Sequence, residues 1–132
     1  MKSTIIIICF FIFGFTLINN KKSEITIHIK EALKIGDAHQ LSQYFDKNLE
    51  LVIDSEKVDF NKIDNNHAEL ILKSFFKKKP PQSFQYEYQG ATASIMYCTG
   101  NYRSKAEQYW VYIILKNKND KYAIGSIHFK KD

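Results

Sequence analysis

Two consecutive prolines, Pro80-Pro81, divide the sequence into two hydrophobic rhythms, and no other feature constrains the fold as strongly. Ahead of them, Ala68, Ile71, Leu72, Phe75 and Phe76 recur at i, i+3, i+4, i+7 and i+8. That is the apolar stripe of a helix burying one face. Proline cannot continue the helical ladder and restricts the residue before it, so the helix must stop there. Beyond the prolines the apolar residues alternate singly, the period of a strand with one face in a core.

The same reasoning extends to the other elements. Helices are expected over Ser23–Ile35, with Ser23 as N-cap and Gly36 as stop, and from Asp37 to about Tyr44–Asp46. Alternation across Ile25-Thr26-Ile27-His28-Ile29 makes a strand a competitor for the first. The long helix is expected over Asn66–Lys79, Asn66 followed by Glu69 resembling a capping pair. Leu49, Leu51 and Ile53, then Val58 and Phe60, read as a hairpin turning at Asp54–Lys57. Four strands follow: Ser83–Gln89, with Phe84, Tyr86 and Tyr88 on one face, then Ala91–Thr99, Glu107–Lys116 and Lys121–Lys130. Gly90, Gly100-Asn101 and Asn117–Asp120 are the expected breaks. Helices first and a strand meander later is the α+β pattern, here with three helices on one side of an antiparallel sheet.

Residues 1–22 read as an address. Lys2 precedes a 14-residue run from Ile5 to Ile18, and Lys21-Lys22 follow. A membrane-spanning helix needs about 20 apolar residues, whereas a secretory signal has about 7–15 behind a positive charge. A signal peptide is therefore expected, with an uncleaved N-terminal anchor as the rival and residues 23–132 as a single domain. The net charge of +5 then loses its apparent meaning. Without Lys2, Lys21 and Lys22, 16 basic residues face 14 acidic ones, a net +2. That gives little support to nucleic-acid binding. Cys9 lies in the leader, so Cys98 has no internal disulfide partner and reads as a small buried strand residue.

The order helix, helix, hairpin, long helix, four-stranded meander resembles the nuclear transport factor 2-like (cystatin-like) fold, in which a strongly bent sheet wraps the long helix into a cone. Two stretches sharpen the likeness. The first is Ile29–Phe45, with Lys34-Ile35-Gly36-Asp37-Ala38 and Leu41-Ser42-x-Tyr44-Phe45. The second is Ile71-Leu72-Lys73-Ser74-Phe75-Phe76, then Pro80-Pro81-x-x-Phe84. With Tyr109–Lys116 and Tyr122–Phe129 they resemble a family of small secreted bacterial proteins, domain of unknown function 4783, over most of residues 25–130. The resemblance implies a fold and a periplasmic or envelope location. It brings no catalytic residues and no cofactor.

Wider relatives of this fold include isomerases, dehydratases and hydrolases working inside the cone, so the inward positions matter most. Phe75, Val111, Ile113, Ile127 and Phe129 are the candidate pocket lining. With that register His128 points outward; the opposite register, movable by a bulge at Gly125, places His128 and Tyr112 inside. Asp54 reads as a turn former, His39 and His67 as solvated first-turn residues, and Lys77-Lys78-Lys79 as a solvated helix end offsetting the macrodipole. No His-x-x-x-His, Cys-x-x-Cys, Gly-rich phosphate loop or Gly-x-Ser-x-Gly occurs, so no metal site and no catalytic residue is assigned. Trp110 and Tyr112, alternate on one strand, are the candidate interface residues, and a homodimer through the sheet face is one expected use. The leading expectation is an exported, non-enzymatic domain binding a partner protein or an apolar small ligand. Its competitor is an acid–base enzyme in the cone that needs His128, Asp54 or a Tyr inside beside a second polar group. A third is a structural subunit of an envelope assembly.

Overall fold

The computed structural model describes residues 20–132. The expected leader lies outside the described residues, except that Asn20–Lys22 belong to the first helix. Helix α1 (Asn20–Ile35) thus starts before Ser23, which is not its N-cap. Ile25, Ile29, Ala32 and Leu33 are buried, so the helical rhythm prevails over the alternating one. Gly36 ends it with φ +70°, and the Asp37 amide donates to Ala32 O at 2.9 Å. That left-handed closure is the one glycine makes without strain.

Helix α2 (Ala38–Ser42) is capped by Asp37, whose Oδ1 accepts from the Gln40 amide at 2.9 Å. It is shorter than expected because Phe45 already opens strand β1 (Phe45–Ile53), where Phe45, Leu49, Leu51 and Ile53 are buried. A 3-10 turn at Asp54–Glu56 leads to β2 (Val58–Ile63), and Lys57 adopts φ +57°. Helix α3 (Asn65–Lys78) is capped by Asp64, not Asn66: Asp64 Oδ1 accepts from the His67 amide at 2.9 Å. Glu69 instead reaches the hydroxyl of Ser42 at 2.7 Å and joins α3 to α2.

The meander is β3 (Pro81–Ala91), β4 (Ile95–Ser104), β5 (Gln108–Lys118) and β6 (Lys121–Lys131). All six strands form one sheet in the order β2-β1-β6-β5-β4-β3. The sheet is mixed, not antiparallel throughout. β6 returns beside β1 and runs parallel to it, pairing Val52 with His128. Only neighbouring hairpins leave a local signal, and this pair is joined across the whole of α3 and the meander.

The breaks expected at Gly90 and Gly100-Asn101 are strand positions. The turns lie at residues 92–94 and 105–107. Gly100 is a strand glycine for a packing reason: a Cβ there would collide with the Phe84 ring. A bulge between Tyr86 and Tyr88 moves Tyr88 off the face of Phe84 and leaves it exposed. The break at Asn117–Asp120 does hold, as a tight turn with Asn119 and Asp120 at positive φ. In β2, an edge strand, Phe60 is exposed and only Ile63 is buried.

The stripe of α3 packs on the inner sheet face. Phe75 meets Phe129 at 5.0 Å and Tyr109 edge-on at 5.3 Å between ring centroids. Tyr102 and Phe76 complete the aromatic cluster. Among the described residues, no helix is long and apolar enough to cross a membrane.

Candidate functional site

Phe75, Val111, Ile113, Ile127 and Phe129 all point inward and are almost wholly buried. Gly125 does host a bulge: Ile114 pairs with Ser126 and Leu115 with Ile124. It lets Ile124 and Ile127 both enter the core and does not bring His128 inside. The rings of Phe75, Phe76, Tyr102, Tyr109 and Phe129 occupy the space beneath the long helix themselves. Of the five pocket candidates, Phe75 also borders a shallow cavity of about 250 Å³ with Ile53, Glu56, Val58, Ile71 and Ser74. Val111, Ile113, Ile127 and Phe129 are packed core.

At the end of the cone, charge and phenol meet. The Tyr109 hydroxyl donates to Glu107 Oε2 at 2.6 Å, and Lys79 Nζ and Lys131 Nζ lie 2.9 and 3.3 Å from Glu107 Oε1. Ser55 Oγ is 3.4 Å from the phenol oxygen. The phenol hydrogen bond and the two ammonium groups hold the Glu107 carboxyl down at about 2. Burial, then the bond to Glu107, pushes Tyr109 up to about 12. A general acid or base works best with a pKa near the operating pH, and both groups are driven away from it. They act as a latch between α3, β5 and β6. Lys78 contributes a second tie, to Glu56 at 2.6 Å, so the lysine run is more than a solvated helix end.

Asp54 and His128 meet on the outside. His128 Nε2 lies 3.1 Å from Asp54 Oδ1, and the Tyr112 ring centroid is 5.9 Å from that of the imidazole. Both partners stay partly open to water, with side chains 34% and 46% exposed, on the sheet face turned away from the helices. His39 and His67 are exposed as expected, each beside a carboxylate, Glu69 and Asp64 respectively. Cys98 is buried, and burial pushes its thiol up to about 11. Among the described residues, no group of three or more His, Cys, Asp or Glu side chains is placed to hold a metal ion.

That outer face carries exposed aromatics from three strands. Tyr112 stands between Thr99 of β4 and His128 of β6, and Ile114 between Tyr97 and Ser126. Tyr88 and Tyr97 stack at 5.8 Å. Tyr88, Tyr97, Tyr112 and Ile114 are all exposed. Trp110 lies on the same face, half-buried, between Asn101 and Lys130. Tyr86 is withdrawn from this group: its hydroxyl donates to Thr26 O at 2.8 Å and ties β3 to α1. A separate cleft of about 330 Å³ lies between α1 and the β5–β6 turn, where His28 stacks on Tyr44 beside Ile25 and Tyr122.

A family model described as a domain of unknown function (DUF4783) matches residues 26–130. The chain belongs to that family. It is similar to DUF4783 crystal structures from Bacteroides ovatus and Bacteroides uniformis. The first shares 24% identity at a TM-score of 0.73, over 80% of this chain and 93% of that one. The second shares 22% at 0.73, over 80% and 94%. An NTF2-like protein of unknown function from Silicibacter pomeroyi shares 9% identity at a TM-score of 0.65, over 89% and 98%. These likenesses establish the NTF2-like fold. No curated protein matches the chain. Within this DUF4783 domain, the sequence pointed to Trp110 and Tyr112 but not to Ile114, although it continues their alternation. Tyr88 joined the outer face only through the bulge.

Proposed function

We propose that this DUF4783 domain is an exported, non-catalytic binding module that holds a partner protein on the outer face of its sheet. The observation that carries this reading is the exposure of Tyr88, Tyr97, Tyr112 and Ile114 together on one face. Aromatic residues are enriched in interface cores because a large rigid ring buries much area for little lost entropy. Two facts favour this face over a ligand in the cone. The space beneath the long helix holds the packed rings of Phe75, Phe76, Tyr102, Tyr109 and Phe129, and the Tyr109–Glu107 pair is held far from neutral titration. The Asp54–His128 pair adds a polar rim beside Tyr112. Export rests on the leader pattern of residues 1–22.

Native mass spectrometry of the protein isolated from its own envelope tests this. A mature mass lacking the leader, in complex with a second polypeptide or a second copy, is the expected result. A bare monomer that retains a small molecule would overturn it.

A further inference from the structure

The opposite end of the same face holds a cavity of about 250 Å³ lined by Ser83, Gln85, Glu87, Asn101 and Arg103. Every lining side chain is polar. Arg103 is the sole arginine of the sequence. Among the described residues, neither Arg103 nor Glu87 has an ion-pair or hydrogen-bond partner for its charged group, and the two do not pair with each other across the cavity. Asn101 adds a buried Oδ1 with no donor. Asn65 and Asn117 also hold such an oxygen, but neither borders this cavity. An unpaired buried oxygen carries a desolvation cost.

Aromatic surface adjoins this polar cluster. Gln85 of β3, Asn101 of β4 and Trp110 of β5 are direct cross-strand partners, so they form one row on one face. Such neighbours lie about 4.5–5.5 Å apart at Cβ. The row therefore sets a half-exposed indole against two planar amides, a guanidinium fork and a carboxylate.

We infer that this row and cavity bind a neutral glycan. A sugar ring presents hydroxyls that both donate and accept, and a flat face of C–H groups. The hydroxyls match the Gln85 and Asn101 amides, the donors of Arg103 and the acceptors of Glu87. The C–H face matches Trp110. Neutrality follows from the charges: Glu87 opposes an anion and Arg103 opposes a cation, whereas a polyol satisfies both. This site does not depend on the partner-protein reading, since none of Tyr88, Tyr97, Tyr112 and Ile114 lines the cavity.

Trp110 is the sole tryptophan, so its emission reports on this row alone. The purified protein is titrated with neutral xylo-, cello-, manno-, malto- and chito-oligosaccharides and, as the acidic arm, oligogalacturonate. The expected result is a saturable emission change with at least one neutral series. Arg103→Ala and Gln85→Ala, both at exposed positions, should each weaken it at least tenfold while leaving the thermal melt unchanged. Binding should persist in Ile114→Lys, which tests the partner face separately. No saturable change with any neutral series at millimolar concentration, saturation by oligogalacturonate alone, or binding that both variants retain would each overturn the proposal.

Discussion

The Tyr109 hydroxyl donates to Glu107 at 2.6 Å, and each group fixes the protonation state of the other. The carboxylate is held ionised by the phenol and two lysines; the phenol is held neutral by burial and by the carboxylate. The pair closes the cone where α3 ends, with Lys79 supplied by the residue just past that helix.

A pH dependence follows from the direction of the Glu107 shift. Its folded value of about 2 lies below the ordinary 4.5. A carboxylate depressed by folding contributes stability that is complete above its unfolded pKa and is lost as pH falls toward the folded one. The latch should therefore weaken between about pH 4.5 and about pH 2. Glu107→Gln should lower the melting temperature at pH 7, and the gap to wild type should narrow at pH 4 and close further at pH 2.5. A gap independent of pH would show that the charge contributes nothing.

Phe75 touches Phe76, Tyr102, Tyr109 and Phe129 and is almost fully buried. Phe75→Ala should cost about 3–5 kcal/mol of unfolding free energy in urea titration, the range for deleting a buried ring. Leu70, on the solvent side of the same helix, is exposed. Leu70→Ala should stay within about 0.5 kcal/mol. Equal costs would mean that α3 does not bury the face described.

Gly100 and Gly90 give a paired test of strand packing. A Cβ at Gly100 meets the buried Phe84 ring and the backbone of Gln85, neither of which can yield easily. Gly100→Ala should cost about 1–3 kcal/mol, as overpacking does. At Gly90 the obstacle is the outer end of the exposed Tyr97 ring, a side-chain tip that can yield at the expense of its stack on Tyr88. Gly90→Ala should be the milder change in the same denaturation assay.

These glycines also mark where sequence legibility ended. Ala68, Leu72, Phe75 and Phe76 announced α3 because its signal lies within one element. Val111 and Ile113 likewise announced the inward face of β5. Gly90 and Gly100 read as turns, because a ring arriving from the neighbouring strand leaves no local trace. The parallel pairing of Val52 with His128 was hidden for the same reason, and with it the change from an antiparallel to a mixed sheet. Asp54 and His128 were each visible as candidates, but only the fold sets them side by side. The Tyr86–Tyr88 bulge broke the alternation that had grouped Tyr88 with Phe84. The polar row Gln85–Asn101–Trp110 spans three strands, so no linear spacing encodes it.

Cys98 offers a chemical check on the core. Thiolate is the reactive form, and burial holds this thiol at about 11, so it is neutral at pH 8 and shielded. In the native protein its reaction with a thiol reagent should be slow, rising to the rate of a free cysteine in urea; Cys98→Ser supplies the background. Rapid native labelling would place Cys98 outside the core.

The partner face is tested most directly by labelling it in place. With Cys9 and Cys98 replaced by Ser, Ile114→Cys samples the outer sheet face and Leu70→Cys the exposed side of α3. Each is labelled with a membrane-impermeant maleimide, in intact envelopes and in purified protein. Ile114→Cys should react slowly in the envelope and quickly once purified, while Leu70→Cys reacts equally in both. Equal reaction of Ile114→Cys in both settings would contradict a covered sheet face.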